Sequence, residues 1–228
     1  MNILIIGATS GIGHELWRYY AAKGNRVAIT GRRKDILDEM VNEYPENTYA
    51  LQCDISDLLS SEVMIQDVIS KFGKLDLAII CAGIGELNPE LELSTEQTTI
   101  SVNVTGWTYA VDSIYKIFER QKSGHLVTIT SVGGMQPTPI APSYSASKAF
   151  QINYTKSLRQ KSKSTPITVT EIRPGLVNTR MAKGEGLFWV MPVDKVVKQI
   201  INAISHKKNL KVVTTRWRVI NWILKHFM

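Results

Sequence analysis

Seven short apolar runs, each followed by a longer stretch with helical spacing, constrain this chain more than any other feature. The runs are 2–6, 26–30, 48–52, 75–80, 125–130, 168–172 and 211–214, and most are continuously apolar. A strand covered on both faces has no water-facing positions, so the period-two alternation of a half-exposed strand disappears. Helical spacing fills 11–24, 34–43, 58–72, 95–119, 143–162 and 193–205, and Ser94 or Thr95 is placed to cap the fourth helix. Strand–helix alternation predicts a parallel sheet with right-handed crossovers and helices on both faces, a doubly wound α/β architecture. No linker or shift of composition interrupts the rhythm, so one domain is expected over residues 1–228.

Composition narrows the class. Charged residues make up 21% and apolar residues 44%, an ordinary globular balance, and no apolar run is long enough to span a bilayer. The apolar part of the N-terminus, Ile3 to Ile6, is too short for a signal-peptide core. Two cysteines, Cys53 and Cys81, suit a reducing compartment, and a cytoplasmic location is expected. The net charge of +7 is confined to the last 37 residues, because residues 1–191 carry 19 basic and 19 acidic side chains. No nucleic-acid recognition module accompanies that excess, and neither nucleic acid nor a metal is expected as a partner. Residues 216–227 are predicted to form a basic amphipathic helix. Trp217, Ile220, Ile223, Leu224 and Phe227 lie on one face, and Arg218, Asn221 and Lys225 on the other. Two readings stand: a terminal helix docked on its own domain or a partner subunit, or peripheral contact with a membrane surface.

The first strand runs straight into Gly7-Ala8-Thr9-Ser10-Gly11-Ile12-Gly13, and a helix follows at once. A pyrophosphate needs close backbone approach, which glycine permits, and free N–H groups at a helix start. Gly7, Thr9, Ser10, Gly11, Ile12 and Gly13 are therefore candidate dinucleotide contacts. The second strand ends at Thr30-Gly31-Arg32-Arg33, with no acid before Asp35. An acid here would hold a ribose hydroxyl pair; Arg32 and Arg33 instead suit the 2′-phosphate of NADP, although arginines at a helix start are also ordinarily solvated. Asp54 and Ile55 follow the third strand, where an adenine would lie, and Asp57 is the better cap for the next helix. Ala82 and Gly83, past the fourth strand, are small enough for a cofactor to pass along them. Past the sixth strand, Pro174, Gly175, Val177 and Thr179 are placed to contact a nicotinamide. Residues 180–191 read as an apolar lid.

Tyr144 and Lys148 lie four residues apart and share a helix face. A lysine ammonium favours a phenolate, so Tyr144 can trade a proton with the oxygen of a carbonyl or an alcohol. Lys148 also faces the cofactor, as does Tyr144. Ser131, just past the fifth strand, can hold that substrate oxygen, or can serve only as a turn cap. Asn103 lies in a mostly apolar helix, where an amide is unfavourable unless paired. It either opens the helix and holds a water in a proton relay with Lys148, or is a core asparagine bonded to neighbouring backbone.

Taken together these residues resemble the short-chain dehydrogenase/reductase family, from Gly7 to about Thr214. The match comprises Gly7, Gly11 and Gly13, then Asp54, Ala82-Gly83, Asn103, Ser131, Tyr144, Lys148 and Pro174-Gly175, in order and at similar spacing. The resemblance implies a seven-stranded Rossmann-type sheet in the order 3-2-1-4-5-6-7 and an Asn103–Ser131–Tyr144–Lys148 tetrad. It also implies a homodimer or homotetramer packed through the 95–119 and 143–162 helices. The expected activity is NADP(H)-dependent interconversion of a small carbonyl compound and its alcohol. The alternatives are an NADP-binding sensor or scaffold without turnover, and a membrane-associated reductase of lipid-derived carbonyls. The chain departs from the family at Ile80-Cys81-Ala82-Gly83, where Asn-Asn-Ala-Gly is common. Cys81 places a thiol near the cofactor, which predicts inhibition by bulky thiol reagents and protection by NADPH.

Overall fold

The structure is a computed structural model that describes residues 1–179, 181, 189–213 and 217. Its strands are β1 (Asn2–Ile6), β2 (Arg26–Gly31), β3 (Thr48–Gln52), β4 (Leu77–Ile80), β5 (Gly124–Ile129), β6 (Ile167–Pro174) and β7 (Leu210–Val213). All pair in parallel, in the order β3-β2-β1-β4-β5-β6-β7, as expected. The helices are α1 (Gly11–Ala22), α2 (Lys34–Glu43), α3 (Leu58–Phe72), α4 (Leu93–Ile100), α5 (Trp107–Gln121), α6 (Pro142–Lys161) and α7 (Val193–Ser205). Alternate strand residues feed opposite cores. Leu4 and Ile6 pack with Met64, Val68, Trp107, Val111 and Phe118 of α3 and α5. Ile3 and Ile5 pack with Leu16, Trp17, Val196 and Ile200 of α1 and α7. This two-sided burial explains why the strands read as unbroken apolar runs.

The strand order reverses between β1 and β4, which pair with Ile6 opposite Ile80. Connections leave these two strands in opposite directions, opening a crevice at their carboxyl ends where ligands of such sheets bind.

Three local expectations are corrected. The fourth helix starts at Leu93, not at Ser94 or Thr95 as cap. Asn88 fixes the preceding turn instead: its side chain accepts from Glu92 N at 2.9 Å and donates to Glu92 O at 3.1 Å. β4 begins two residues later than expected, because the Gln121 side chain takes both the N–H and the C=O of Leu75. The long 95–119 helix is broken by a π-helical turn, Ser101–Gly106, around Asn103. Asp57 does cap α3, accepting from Leu59 N at 3.0 Å and Ser60 N at 3.2 Å. The 216–227 helix lies outside the described residues apart from Trp217. Among the described residues no helix is long and apolar enough to cross a membrane.

The sheet also carries a buried acid-sensitive group. His125 at the start of β5 bonds Thr170 through Nε2 at 2.8 Å, and burial, with Lys207 nearby, pulls its pKa down to about 4. An unfolded histidine titrates near ~6.5. Between these values the unfolded chain binds the extra proton, so stability falls as pH drops through that window. Denaturant unfolding is expected to lose about 3 kcal/mol between pH 7 and pH 4 from this group. His125→Gln is expected to flatten that acid limb; an unchanged limb would assign the loss elsewhere.

Candidate active site

The crevice is a cleft of about 940 Å³. At one end lies the glycine turn. Gly7 sits at φ +87°, and a Cβ there would lie 2.6 Å from the Ala82 nitrogen. A Cβ on Gly13 would lie 2.2 Å from the Gly7 carbonyl oxygen, so only glycine lets α1 start this close to β1. The turn is pinned where the Gly7 and Ala8 amides both donate to Thr30 O, at 3.0 and 2.9 Å. Ser10 caps α1 without a side-chain bond, and no acid stands in the first turn. The helix therefore presents an uncompensated positive end and free N–H groups to the cleft, through Gly11, Ile12 and Gly13. Those features fit a pyrophosphate.

The two arginines differ. Arg33 folds over the turn, donating to Thr9 O at 2.8 Å and Thr9 Oγ1 at 2.9 Å. Arg32 is exposed and faces Asp54 at 3.8 Å. Asp54 lies past β3, where an adenine is expected. Its Oδ1 is already engaged by Ser56 N at 3.0 Å and Ser56 Oγ at 2.7 Å, which leaves Oδ2 facing Arg32. Ile55 is buried in the core below and lines the cleft floor. Ala82 and Gly83 form the wall between the two ends, with Gly83 against Asn103 and Lys148.

At the other end Tyr144, Ser131 and Lys148 converge. Tyr144 is clamped between Gly85 and Gly133: Cβ atoms there would lie 2.9 Å and 3.3 Å from its ring. Burial raises its pKa, and a hydrogen bond with Ser131 opposes that rise. The expectation that Lys148 lowers the tyrosine is not met in the free protein. The Lys148 Nζ is 6.0 Å from the ring centroid and is turned toward Gln151 Oε1 at 2.9 Å and Ile129 O at 3.3 Å. Burial pulls Lys148 itself down to about 8. Ser131 also acts as a cap, accepting from Gly133 N at 3.0 Å.

Asn103 carries a part of each reading: the helix opens around it, and its side chain is bonded to nearby backbone. Its side chain donates to Ile84 O at 2.8 Å and to Ser147 Oγ at 3.0 Å, and accepts from Ile84 N at 2.9 Å. It thus ties the segment past Gly83 to the π turn. Its backbone carbonyl accepts from Gln151 Nε2 at 2.9 Å. Cys81 is half-buried at the end of β4 and lines the cleft, and burial pushes its thiol up to about 12. The thiol stays protonated at neutral pH, so the expected sensitivity to alkylating reagents is offset by slow reaction.

Pro174 closes β6, and Gly175 N donates to Val213 O at 2.9 Å. Val177 bridges to Met191 through the flanking amides of Asn178 and Met191, a pattern that does not use its own N–H. The Thr179 methyl approaches Gly11 across the cleft mouth. Most of the 180–191 segment lies outside the described residues. Two residues were missed in the sequence. Trp217 lies against Gly175 and lines the cleft, which no local pattern signals. Gln151 is three residues beyond Lys148 and seven beyond Tyr144, a spacing that places a polar side chain on their helix face.

Residues 1–187 match the short chain dehydrogenase family, and the chain belongs to it. It is a Rossmann-type oxidoreductase of the nicotinamide-binding class. It is 31% identical over 180 residues to the NADP-dependent 3-hydroxy acid dehydrogenase YdfG of Shigella flexneri, covering 78% of this chain and 73% of that protein. It is 32% identical over 216 residues to an oxidoreductase of Mycobacterium tuberculosis, covering 90% and 85%. Among solved structures, the closed form of serine dehydrogenase complexed with NADP+ superposes with a TM-score of 0.86 at 25% identity, over 93% and 94% of the two chains. A family member from Burkholderia phymatum in complex with NAD shares the fold, with a TM-score of 0.88 at 18% identity, over 97% and 92%.

Proposed function

We propose that this protein is an NADP(H)-dependent oxidoreductase that interconverts a carbonyl compound and an alcohol, with Tyr144 as acid/base. The observation that carries the reading is the meeting of Tyr144, Ser131 and Lys148 at one end of a cleft whose other end is the glycine turn. When bound, the dinucleotide supplies or accepts the hydride. Ser131 holds the substrate oxygen through its hydroxyl. Tyr144, kept protonated by burial, donates its phenolic proton to that oxygen as it becomes an alkoxide. The Lys148 ammonium steadies the phenolate left behind, and Asn103 fixes the wall on which the reactants lie. Gly7, Thr9, Ser10, Gly11, Ile12 and Gly13 hold the pyrophosphate; Asp54, Ile55, Ala82 and Gly83 flank the nucleotide; Pro174, Gly175, Val177 and Thr179 border the nicotinamide. A homodimer or homotetramer belongs to the same reading, supported by exposed Leu93 and Ile100 on α4 and Phe150 on α6.

Preference for NADP is supported by the absence of an acid at the end of β2 and by the NADP named for two similar proteins. Arg32 is the freer arm, and a charge-assisted bond from it to a 2′-phosphate is expected to be worth roughly 10- to 100-fold in affinity. Arg32→Ala should raise the Kd for NADPH by that factor and leave the Kd for NADH unchanged, measured by fluorescence titration. Equal loss for both dinucleotides would remove the assignment.

Leu87, Val132, Ile140, Ala141, Met181 and Trp217 wall the carbonyl end. Glu86, next to the Gly85 that packs on Tyr144, lines the same cleft, and a carboxylate there disfavours a substrate anion. An uncharged, apolar ketone or aldehyde is the substrate this wall supports. The deciding assay is the purified protein against a carbonyl panel with NADPH and NADH side by side, with 3-hydroxy acids and serine run in the oxidative direction. Turnover of apolar carbonyls with NADPH is expected; activity confined to the acids would overturn the substrate class, and no turnover at all would favour a sensor or scaffold.

A further inference from the structure

We propose that Gln151 is a positioning residue of the proposed site: its side-chain amide bridges the Asn103 carbonyl and the Lys148 ammonium and holds the lysine charged and in place beside Tyr144. The proposal rests on the catalytic reading of Tyr144 and Lys148 given above.

The geometry begins with the π turn. In a regular α-helix the Trp107 N–H would bond the Asn103 carbonyl four residues back. Here the Trp107 N–H goes to Val102 O and Val104 O instead, passing over the Asn103 carbonyl. That carbonyl faces α6 and accepts from Gln151 Nε2 at 2.9 Å. The other end of the same amide accepts from Lys148 Nζ at 2.9 Å. Gln151 is fully buried, so neither bond competes with solvent.

An amide is suited to this place because it offers a donor to the carbonyl and an acceptor to the ammonium at once. The charge on Lys148 has little else to hold it. The groups facing Nζ are the Ile129 carbonyl from β5, Cys81 from the end of β4 with its protonated thiol, Gly83 and Asn103 beside it, and Tyr144 and Gln151 from α6. No carboxylate is among these described neighbours. Burial pulls the ammonium toward its neutral form, and the Gln151 oxygen is its shortest described acceptor.

The test uses two substitutions that keep the side-chain length. Gln151→Met removes both bonds, and Gln151→Glu places a carboxylate against the ammonium. The Lys148 titration is followed directly, by NMR of protein labelled at lysine Cε, with the resonance assigned from Lys148→Met. Losing a hydrogen bond to a charged group is expected to move the Lys148 midpoint down by about one to two pH units in Gln151→Met. The midpoint should move up in Gln151→Glu. In steady state, the alkaline limb of kcat should follow in the same directions, since the cation is lost as pH rises through the lysine's midpoint, while the KM for NADPH stays within about twofold. Midpoints that match the unsubstituted protein in both variants overturn the proposal. Because NMR needs no turnover, that result is distinct from a failure of the catalytic reading, which the unsubstituted protein would show as absence of carbonyl reduction.

Discussion

Tyr144→Phe is expected to lower kcat for carbonyl reduction by roughly 10²- to 10⁴-fold, the span attributed to a positioned general acid. The substitution is unusually clean. The ring is held by packing against Gly85 and Gly133, contacts that phenylalanine repeats, so the fold and the cleft shape are kept. Only the hydroxyl and its bond to Ser131 are lost. The Kd for NADPH, followed by fluorescence, should therefore stay within about twofold, because the many other cofactor contacts are kept and only one hydroxyl is removed. Retained turnover would show that another group protonates the substrate oxygen. A large loss of NADPH affinity would show that the hydroxyl acts mainly in binding the cofactor.

Glu171→Ala is expected to be the most destabilising single substitution considered. Glu171 is buried in the middle of β6. Its Oε1 accepts from Arg173 Nε at 2.9 Å, Arg173 Nη2 at 2.7 Å and Thr130 Oγ1 at 3.0 Å, and Arg159 lies 3.7 Å from Oε2. Removing the carboxylate leaves two guanidinium groups in a poorly solvated place without their anion. Breaking such a pair from one side costs about 3–5 kcal/mol. For a chain of this length that corresponds to a fall in Tm of about 10 °C. The companion substitution Glu171→Leu with Arg173→Met removes the more buried pair and leaves Arg159, which is partly exposed, so it should recover part of the loss. Arg173 also reaches the Met135 sulfur at 2.9 Å, just past the turn that begins at Ser131. Glu171→Ala should thus depress kcat beyond the fraction unfolded, whereas a purely thermodynamic effect would leave the folded fraction fully active.

The sheet was legible because its strands are buried on both faces and show it as unbroken apolar runs. The glycine turn was legible because close approach between β1 and α1 admits no other residue at Gly13. Tyr144 and Lys148 gained meaning from their order relative to Ser131 and Asn103. What stayed hidden depends on contacts between distant segments. Gln151 shares a face with Lys148, but its role needs the Asn103 carbonyl, 48 residues away and turned outward by a π turn. Glu171 and Arg173 sit on one side of a strand, and neither spacing nor residue type reveals that Arg159 of α6 closes over them. The start of the fourth helix was misplaced because Asn88, four residues upstream of Glu92, fixes the preceding turn through the Glu92 backbone, and the helix begins at Leu93 without a side-chain cap.

The π turn at Ser101–Gly106 also limits how the length of this chain can vary. Such a turn holds more residues per revolution than an α-helix, so removing one residue would let α4 run smoothly into α5. It would leave α4 close to its present orientation, because the turn absorbs one extra residue while the flanking helices stay in register. What it would remove is the break that frees the Asn103 carbonyl for Gln151. A single-residue deletion in 101–106 should therefore spare the bonds of Glu96 to Ser143 N and Asn88, and cost the contact between the Asn103 carbonyl and α6.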